Sequence, residues 1–216
     1  MDLLIFDLDG TLIDSKQDLV CAVNATREHA GMAPLEHETV YSYVGEGAPT
    51  LIRRALGPEA TDAQVQDALA FFLVYYKEHL VDHTVLYPGV ADTLAKLAAA
   101  NVKMAILTNK PVVMSRRIVE ALGLAGHFQQ IYGGNSFEQK KPHPIGVETL
   151  LAECNAARDR AMMVGDSAVD IRTARNAEIK ACGVTYGFQP ETLAQYPPDL
   201  LIDRIEELGD WVASGV

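Results

Sequence analysis

Cysteine is scarce in this chain, with Cys21, Cys154 and Cys182 the only three among 216 residues. An odd number at wide spacing supports no disulfide framework, so free thiols in a reducing compartment are expected. Positive charge is scarce too, with 18 Lys and Arg against 29 Asp and Glu and a net charge of −11. Nucleic acid and anionic membrane surfaces are polyanions that such a protein repels, so neither is an expected partner. No apolar run approaches the length of a membrane span. Asp2 stands where an export signal would be basic, and a cytoplasmic location is expected. Internal repeats and low-complexity stretches are absent as well.

Apolar residues are plentiful, at 49% of the chain, enough for a large core. Their pattern changes along the sequence. No strand-like alternation occurs between residues 15 and 83. Helical spacing predicts a helix after Asp14 that stops near Gly31, then helices over Glu38 to Val44, Ala48 to Leu56 and Thr61 to Leu80. Thr61 or Asp62 can cap the last of these. From Pro88-Gly89 onward, short apolar runs such as VKMAILTN, FQQIYGG, RAMMVGDS, KACGVTYG and DLLIDRI alternate with helical patterns. That alternation predicts an α/β fold, a Rossmann-like parallel sheet with helices on both faces. The expected organisation is a core of residues 1–13 and 85–216, with a small all-helical unit of residues 14–84 inserted in it.

Ligands of an open parallel sheet bind where the loops leave the carboxyl ends of its strands. The first predicted strand, LLIF, ends at two carboxylates, Asp7 and Asp9, with Gly10 behind them. The strand ending ILTN delivers Thr108, Asn109 and Lys110. A later loop carries Lys140, Lys141 and Pro142, and the strand ending MMVGDS delivers Asp166, with Ser167 and Asp170 after it. Any one of these could be only a helix cap or solvated surface. Three acids and a lysine on one rim are not explained by independent caps. Carboxylates can share a small volume if a cation sits among them, and a hard ion such as Mg²⁺ takes one or two carboxylates and keeps waters for a phosphate. Asp7, Asp9 and Asp166 supply such a site, while Lys141 and the Thr108 hydroxyl supply donors for phosphate oxygens. A carboxylate can also attack phosphorus and form an acyl phosphate. A second acid two residues on could protonate the leaving alcohol and then deprotonate a water.

The segments DLDGTLID, ILTN, KKPHP and GDSAVD, in this order, resemble the four signature motifs of the haloacid dehalogenase superfamily. The resemblance implies Asp7 as the nucleophile that becomes phosphoaspartate and Asp9 as general acid and base. It implies Thr108 as the hydroxyl that holds the transferring phosphoryl, with Asn109 beside it. Lys141, directly before Pro142, matches the lysine that neutralises nucleophile and phosphate, in preference to Lys140. Asp166 matches a metal ligand, with Ser167 and Asp170 supporting the same loop. In this superfamily the metal contact of the residue matching Asp9 comes from its backbone carbonyl. The founding dehalogenases lack an acid at the position of Asp9, so its presence favours phosphoryl transfer. Mutases of the superfamily carry a cap histidine about a dozen residues after the nucleophile. Here that neighbourhood is Asp18, Leu19 and Val20, which favours hydrolysis.

The helical insert matches the superfamily's mobile cap, and YVGEGAPTLIRRAL is similar to the cap loop of its phosphoglycolate phosphatases. Gly45 and Gly47 would let backbone approach a substrate closely. Glu46 and Arg53 or Arg54 are candidates for contacting the non-phosphate end. The implied activity is Mg²⁺-dependent hydrolysis of a small phosphorylated metabolite, with 2-phosphoglycolate first and other sugar phosphates, muramic acid phosphate or pyrophosphate as alternatives. A reading of a different class is a non-catalytic homologue that binds a phosphorylated ligand, though such a homologue would be expected to lack Asp7 or Asp9. The protein is expected to be a monomer or homodimer. His79 and His83 have the spacing of a zinc pair, but no third ligand stands near them and they are read as ordinary surface. The run FFLVYY reads as the packed face of a helix, and Cys182 as a small buried hydrophobe.

Overall fold

A computed structural model describes residues 1–214. In chain order its elements begin with β1 (Leu3–Phe6), β2 (Ile13–Asp14), α1 (Lys16–His29), α2 (His37–Tyr41), α3 (Ala48–Leu56), α4 (Asp62–Glu78) and β3 (Val85–Leu86). They continue with α5 (Val90–Ala99), β4 (Lys103–Leu107), α6 (Val112–Ala121), β5 (Gln130–Tyr132), α7 (Ile145–Glu153) and β6 (Ala161–Gly165). The last are α8 (Ala168–Asn176), β7 (Lys180–Val184), β8 (Leu200–Ile202) and α9 (Glu206–Ala213). Six strands form one parallel sheet in the order β5-β4-β1-β6-β7-β8. β1 lies between β4 and β6, with Phe6 level with Ile106 on one side and Val164 on the other. The strand order therefore reverses at β1, and its carboxyl end is the switch point where a parallel sheet leaves a crevice.

The strands are apolar on both faces because both are covered. Along β1, Leu4 and Phe6 join a cluster with Leu94 of α5, Ile118 of α6 and Leu208 of α9. Leu3 and Ile5 turn to the other face and pack with Leu150 of α7 and Ile171 of α8. The α/β fold expected from the alternating pattern is the fold observed. Two elements went unanticipated. The strands β2 and β3 have two residues each, too few to show a period, and pair antiparallel as a ribbon. Helix α9 has eight residues and Gly209 in its middle, which masks its apolar face in the sequence.

Between the two strands of the ribbon lie only helices among the described residues, with α1 and α3 both packed on α4. Thr61 caps α4, its hydroxyl accepting from the Gln64 N–H while the Gln64 side chain accepts from the Thr61 N–H. No helix of the described residues is long and apolar enough to cross a membrane. Asp18 ties this unit to the ribbon: its buried carboxylate accepts from the backbone N–H groups of His83 and Thr84 and from the Thr84 hydroxyl. Burial by itself raises the Asp18 pKa, but these hydrogen bonds outweigh it and hold the group below the usual carboxylate range. Its contribution to stability is therefore complete above the ordinary Asp value of about 3.9 and is lost as pH falls through the lowered one. Asp18→Ala strands three donors, and chemical denaturation at pH 7 is expected to show a loss of roughly 2–4 kcal/mol.

Candidate active site

β1 stops at Phe6, and the next residue, Asp7, stands at the switch point with one oxygen accepting the Leu8 N–H at 2.7 Å. Its other oxygen is 3.0 Å from Lys141 Nζ. That ammonium lies 2.6 Å from Asp170 Oδ1. The second oxygen of Asp170 accepts from the Ser167 hydroxyl at 2.8 Å and from its N–H at 3.2 Å, the cap that starts α8. Asp166 follows β6, and its Oδ2 accepts the backbone N–H of Phe188 at 2.6 Å. Gly10 has φ +79°, and a side chain there would collide with the Asp166 carboxylate, so glycine at this position serves both the turn and the close approach. Thr108 and Asn109, after β4, complete the rim and are buried.

Oxygens of Asp7, Asp166 and Asp170 lie within 4.8 Å of one another. Burial pushes Asp7 up to about 6; Lys141 pulls the other way, and the Asp170 charge adds to the rise. Asp166 is pushed up to about 8, first by burial and then by the charges of Asp170 and Asp7. These are oxygen donors whose mutual repulsion Lys141 relieves only in part. With Asp9, four carboxylates face the two buried lysines Lys110 and Lys141, an excess of two negative charges when all are ionised. The donor set fits a hard divalent cation.

Asp9 points away from that cluster. Its carboxylate accepts from the Ser15 hydroxyl at 2.5 Å and sits 3.0 Å, through either oxygen, from Lys110 Nζ. Lys110 in turn donates to the hydroxyl of Tyr76 on α4 at 2.6 Å. Burial raises the Tyr76 pKa to about 12, so the phenol keeps its proton at neutral pH. A pocket opens between the sheet rim and the helices, walled by Leu19, Leu51, Phe72, Met114 and Phe188. Over it lies the loop of residues 42–47, held by its backbone from below. Gln189 Nε2 donates to the carbonyls of Ser42 at 3.0 Å and Val44 at 2.9 Å, Asn109 Nδ2 to that of Gly45 at 2.9 Å, and Lys140 Nζ to that of Glu46.

A family model described as haloacid dehalogenase-like hydrolase matches residues 4–184. The chain belongs to the haloacid dehalogenase-like hydrolases. Among curated relatives, it is 38% identical to the phosphoglycolate phosphatase of Colwellia psychrerythraea, over 96% of this chain and 95% of that one. It is 40% identical to that of Chromobacterium violaceum, over 97% and 96%. The crystal structure of a predicted phosphoglycolate phosphatase from Haemophilus somnus superposes with a TM-score of 0.93 at 31% identity, covering 98% of each chain.

Against the residues expected of a haloacid dehalogenase-like hydrolase, the structure brings Asp7, Asp166, Asp170, Lys141, Thr108 and Asn109 to one rim, with Asp9 beside them. The acidic side chains that converge are those of Asp7, Asp166 and Asp170. Lys110 and Ser15 draw the Asp9 carboxylate away from them, toward the helices. Gly45 and Gly47 line the pocket with φ of +113° and +86°. Glu46 and Arg53 do not reach it. Arg53 turns to the Ala60 carbonyl and Asp62, and Glu46 pairs with Arg54. The face of α3 toward the pocket is that of Ala48 and Leu51, and the arginines fall on the other side.

The sequence places Lys110 at the rim without a role, and Tyr76 and Gln189 lie outside the expected site. Lys110 stood third in a strand-end run that also reads as a helix start, Tyr76 was hidden in the apolar run FFLVYY, and Gln189 had no motif around it. Gln189→Ala removes two hydrogen bonds to the overlying loop and keeps the backbone N–H that reaches Asp166 at 3.3 Å. Steady-state kinetics are expected to show KM raised about 5- to 10-fold, with kcat changed less.

Proposed function

We propose that this hydrolase is a cytoplasmic, Mg²⁺-dependent phosphomonoesterase that transfers the phosphoryl group of 2-phosphoglycolate to Asp7 and then to water. The observation that carries the reading is the arrangement of one rim: a carboxylate at the sheet's switch point, a buried lysine 3.0 Å from it, and a second acid two residues along the chain. The names of the relatives at 38–40% identity supply the substrate. In this reading the Asp7 carboxylate attacks phosphorus, and Lys141 and the Thr108 hydroxyl hold the phosphoryl oxygens. Protonated Asp9 gives its proton to the departing alkoxide, then takes one from the water that attacks the acyl phosphate. Phosphate leaves, and Asp7 and Asp9 return to their starting states. Asp7 and Asp166, with the Asp9 carbonyl, would hold the cation, and Asp170 keeps Lys141 in place. When bound, that cation neutralises charge on the phosphate and between the carboxylates. Residues 14–84 act as a cap on the core of residues 1–13 and 85–216, excluding water and selecting the leaving group.

Phosphate release from 2-phosphoglycolate, muramic acid 6-phosphate, sugar phosphates, pyrophosphate and nucleoside monophosphates, with Mg²⁺ and with EDTA, tests this. A kcat/KM for 2-phosphoglycolate at least about a hundredfold above the rest, ~2.7 kcal/mol, is the expected result. A flat profile that still needs the cation removes that substrate and keeps the phosphatase. No release from any compound favours a ligand-binding homologue. Thermal unfolding with added Mg²⁺ reads the cation independently of turnover, and a rise in melting temperature is expected.

A further inference from the structure

We infer that Lys110, backed by Tyr76, is the receptor for a second anionic group on the substrate's leaving alcohol, and so determines specificity for phosphomonoesters that carry a carboxylate next to the ester. The inference rests on the phosphatase reading above and names the residue behind its choice of substrate.

The molecule as a whole is acidic, so an anionic leaving group needs local positive charge where it lies. Among the described residues that line the pocket, Lys110 is the only basic one. Lys141 serves the other side, between Asp7 and Asp170. Arg53 and Arg54, the cations nearest in sequence to the overlying loop, are turned to Asp62 and Glu46. Lys110 stands beside Asp9, the residue that meets the departing alcohol, and not beside Asp7.

The surroundings of this ammonium are unusual for a lysine. It is 6% exposed and paired with Asp9, where the polar rim meets an apolar wall of Leu51, Phe72 and Met114. Taking an ammonium out of water is costly, and a neutral alcohol in the same pocket would be served by another apolar side chain. Tyr76 accepts from Lys110, its ring centroid 4.5 Å from Nζ, and still has its own O–H to donate. A carboxylate arriving there meets one cation and one hydroxyl. An analogue without the charge forfeits the charge-assisted hydrogen bond to that ammonium, so such a site discriminates against it.

Lys110 also touches Asp9, so a simple loss of activity would not separate recognition from positioning. The measurement is therefore a ratio: kcat/KM for 2-phosphoglycolate over kcat/KM for its neutral carboxamide, in the wild type, Lys110→Met and Tyr76→Phe. Recognition predicts a wild-type ratio of roughly a hundred or more. In Lys110→Met it falls to below about five, and in Tyr76→Phe, which keeps the ring and the lysine charge, it falls several-fold. An unchanged ratio in both variants, whatever their absolute rates, overturns the inference and leaves Lys110 as a positioning residue for Asp9. A wild-type ratio near one, with both compounds hydrolysed, contradicts the carboxylate substrate itself and this inference with it. If Lys110→Met does not fold, Tyr76→Phe decides alone.

Discussion

Asp7→Asn is expected to lower kcat by about 10⁴-fold or more, ~5.5 kcal/mol, while raising the melting temperature of the cation-free protein. The two effects have one cause. Asp7 is a buried carboxylate pushed up to about 6, in a group with Asp166, itself pushed up to about 8. A carboxylate whose pKa is higher folded than unfolded binds its proton more tightly in the folded state. Stability of the cation-free protein should therefore fall as pH rises from about 4 toward 8, and be lost most where Asp7 and then Asp166 ionise. The amide of Asn carries no charge and removes part of this repulsion, on the order of 2 kcal/mol at pH 7, or roughly 4–8 °C in a chain of this size. It also cannot act as the nucleophile. A variant that is inactive and more stable cannot owe its inactivity to unfolding. Scanning calorimetry in EDTA, beside phosphate release in Mg²⁺, checks both arms.

Lys141→Met is expected to abolish turnover with the opposite effect on stability, a loss of roughly 3–5 kcal/mol in EDTA. Lys141 is 4% exposed, and its Nζ is bound by Asp7 at 3.0 Å and by Asp170 at 2.6 Å. Its own pKa is raised, because the attraction of Asp170 and Asp7 outweighs a burial that would lower it. Removing the ammonium leaves two buried carboxylates with no counter-charge, and Asp170 also holds Ser167 at the start of α8. The loss should be smaller in the Asp7→Asn background, since one of the stranded charges is already gone. Equilibrium denaturation of the two single variants and the double variant reads that coupling. Equal losses in both backgrounds would mean that Lys141 and Asp7 do not share their energetics.

What the sequence could show followed the periods of its elements. Strands buried on both faces appear as short apolar runs, and the residue after each run has to lie at the sheet's rim. That logic reached Asp7, Thr108 and Asp166 without any knowledge of strand order. It stopped where closeness is created by the tertiary fold alone. Lys110 and Asp9 are 101 positions apart, and Gln189 and Ser42 are 147 apart. No local pattern records either contact. The run FFLVYY was legible as a packed face, but only the structure divides it: Phe72 and Tyr76 line the pocket, while Phe71 and Tyr75 stack outward in a row with His29 and His79. His79 itself pairs with Asp82 and His83 with Asp18, so the two histidines at zinc spacing have separate structural partners. The ion pairs of Glu46 and Arg53 were illegible for the same reason, since which face of α3 meets the pocket depends on how it packs on α4.

In the proposed reaction the phosphoryl group moves twice, first to Asp7 and then to water. The stereochemical course at phosphorus tests it most directly, using a substrate made chiral at phosphorus with sulfur and oxygen isotopes. Two in-line displacements predict overall retention of configuration. Inversion would mean a single attack by water, and would contradict Asp7 as the nucleophile.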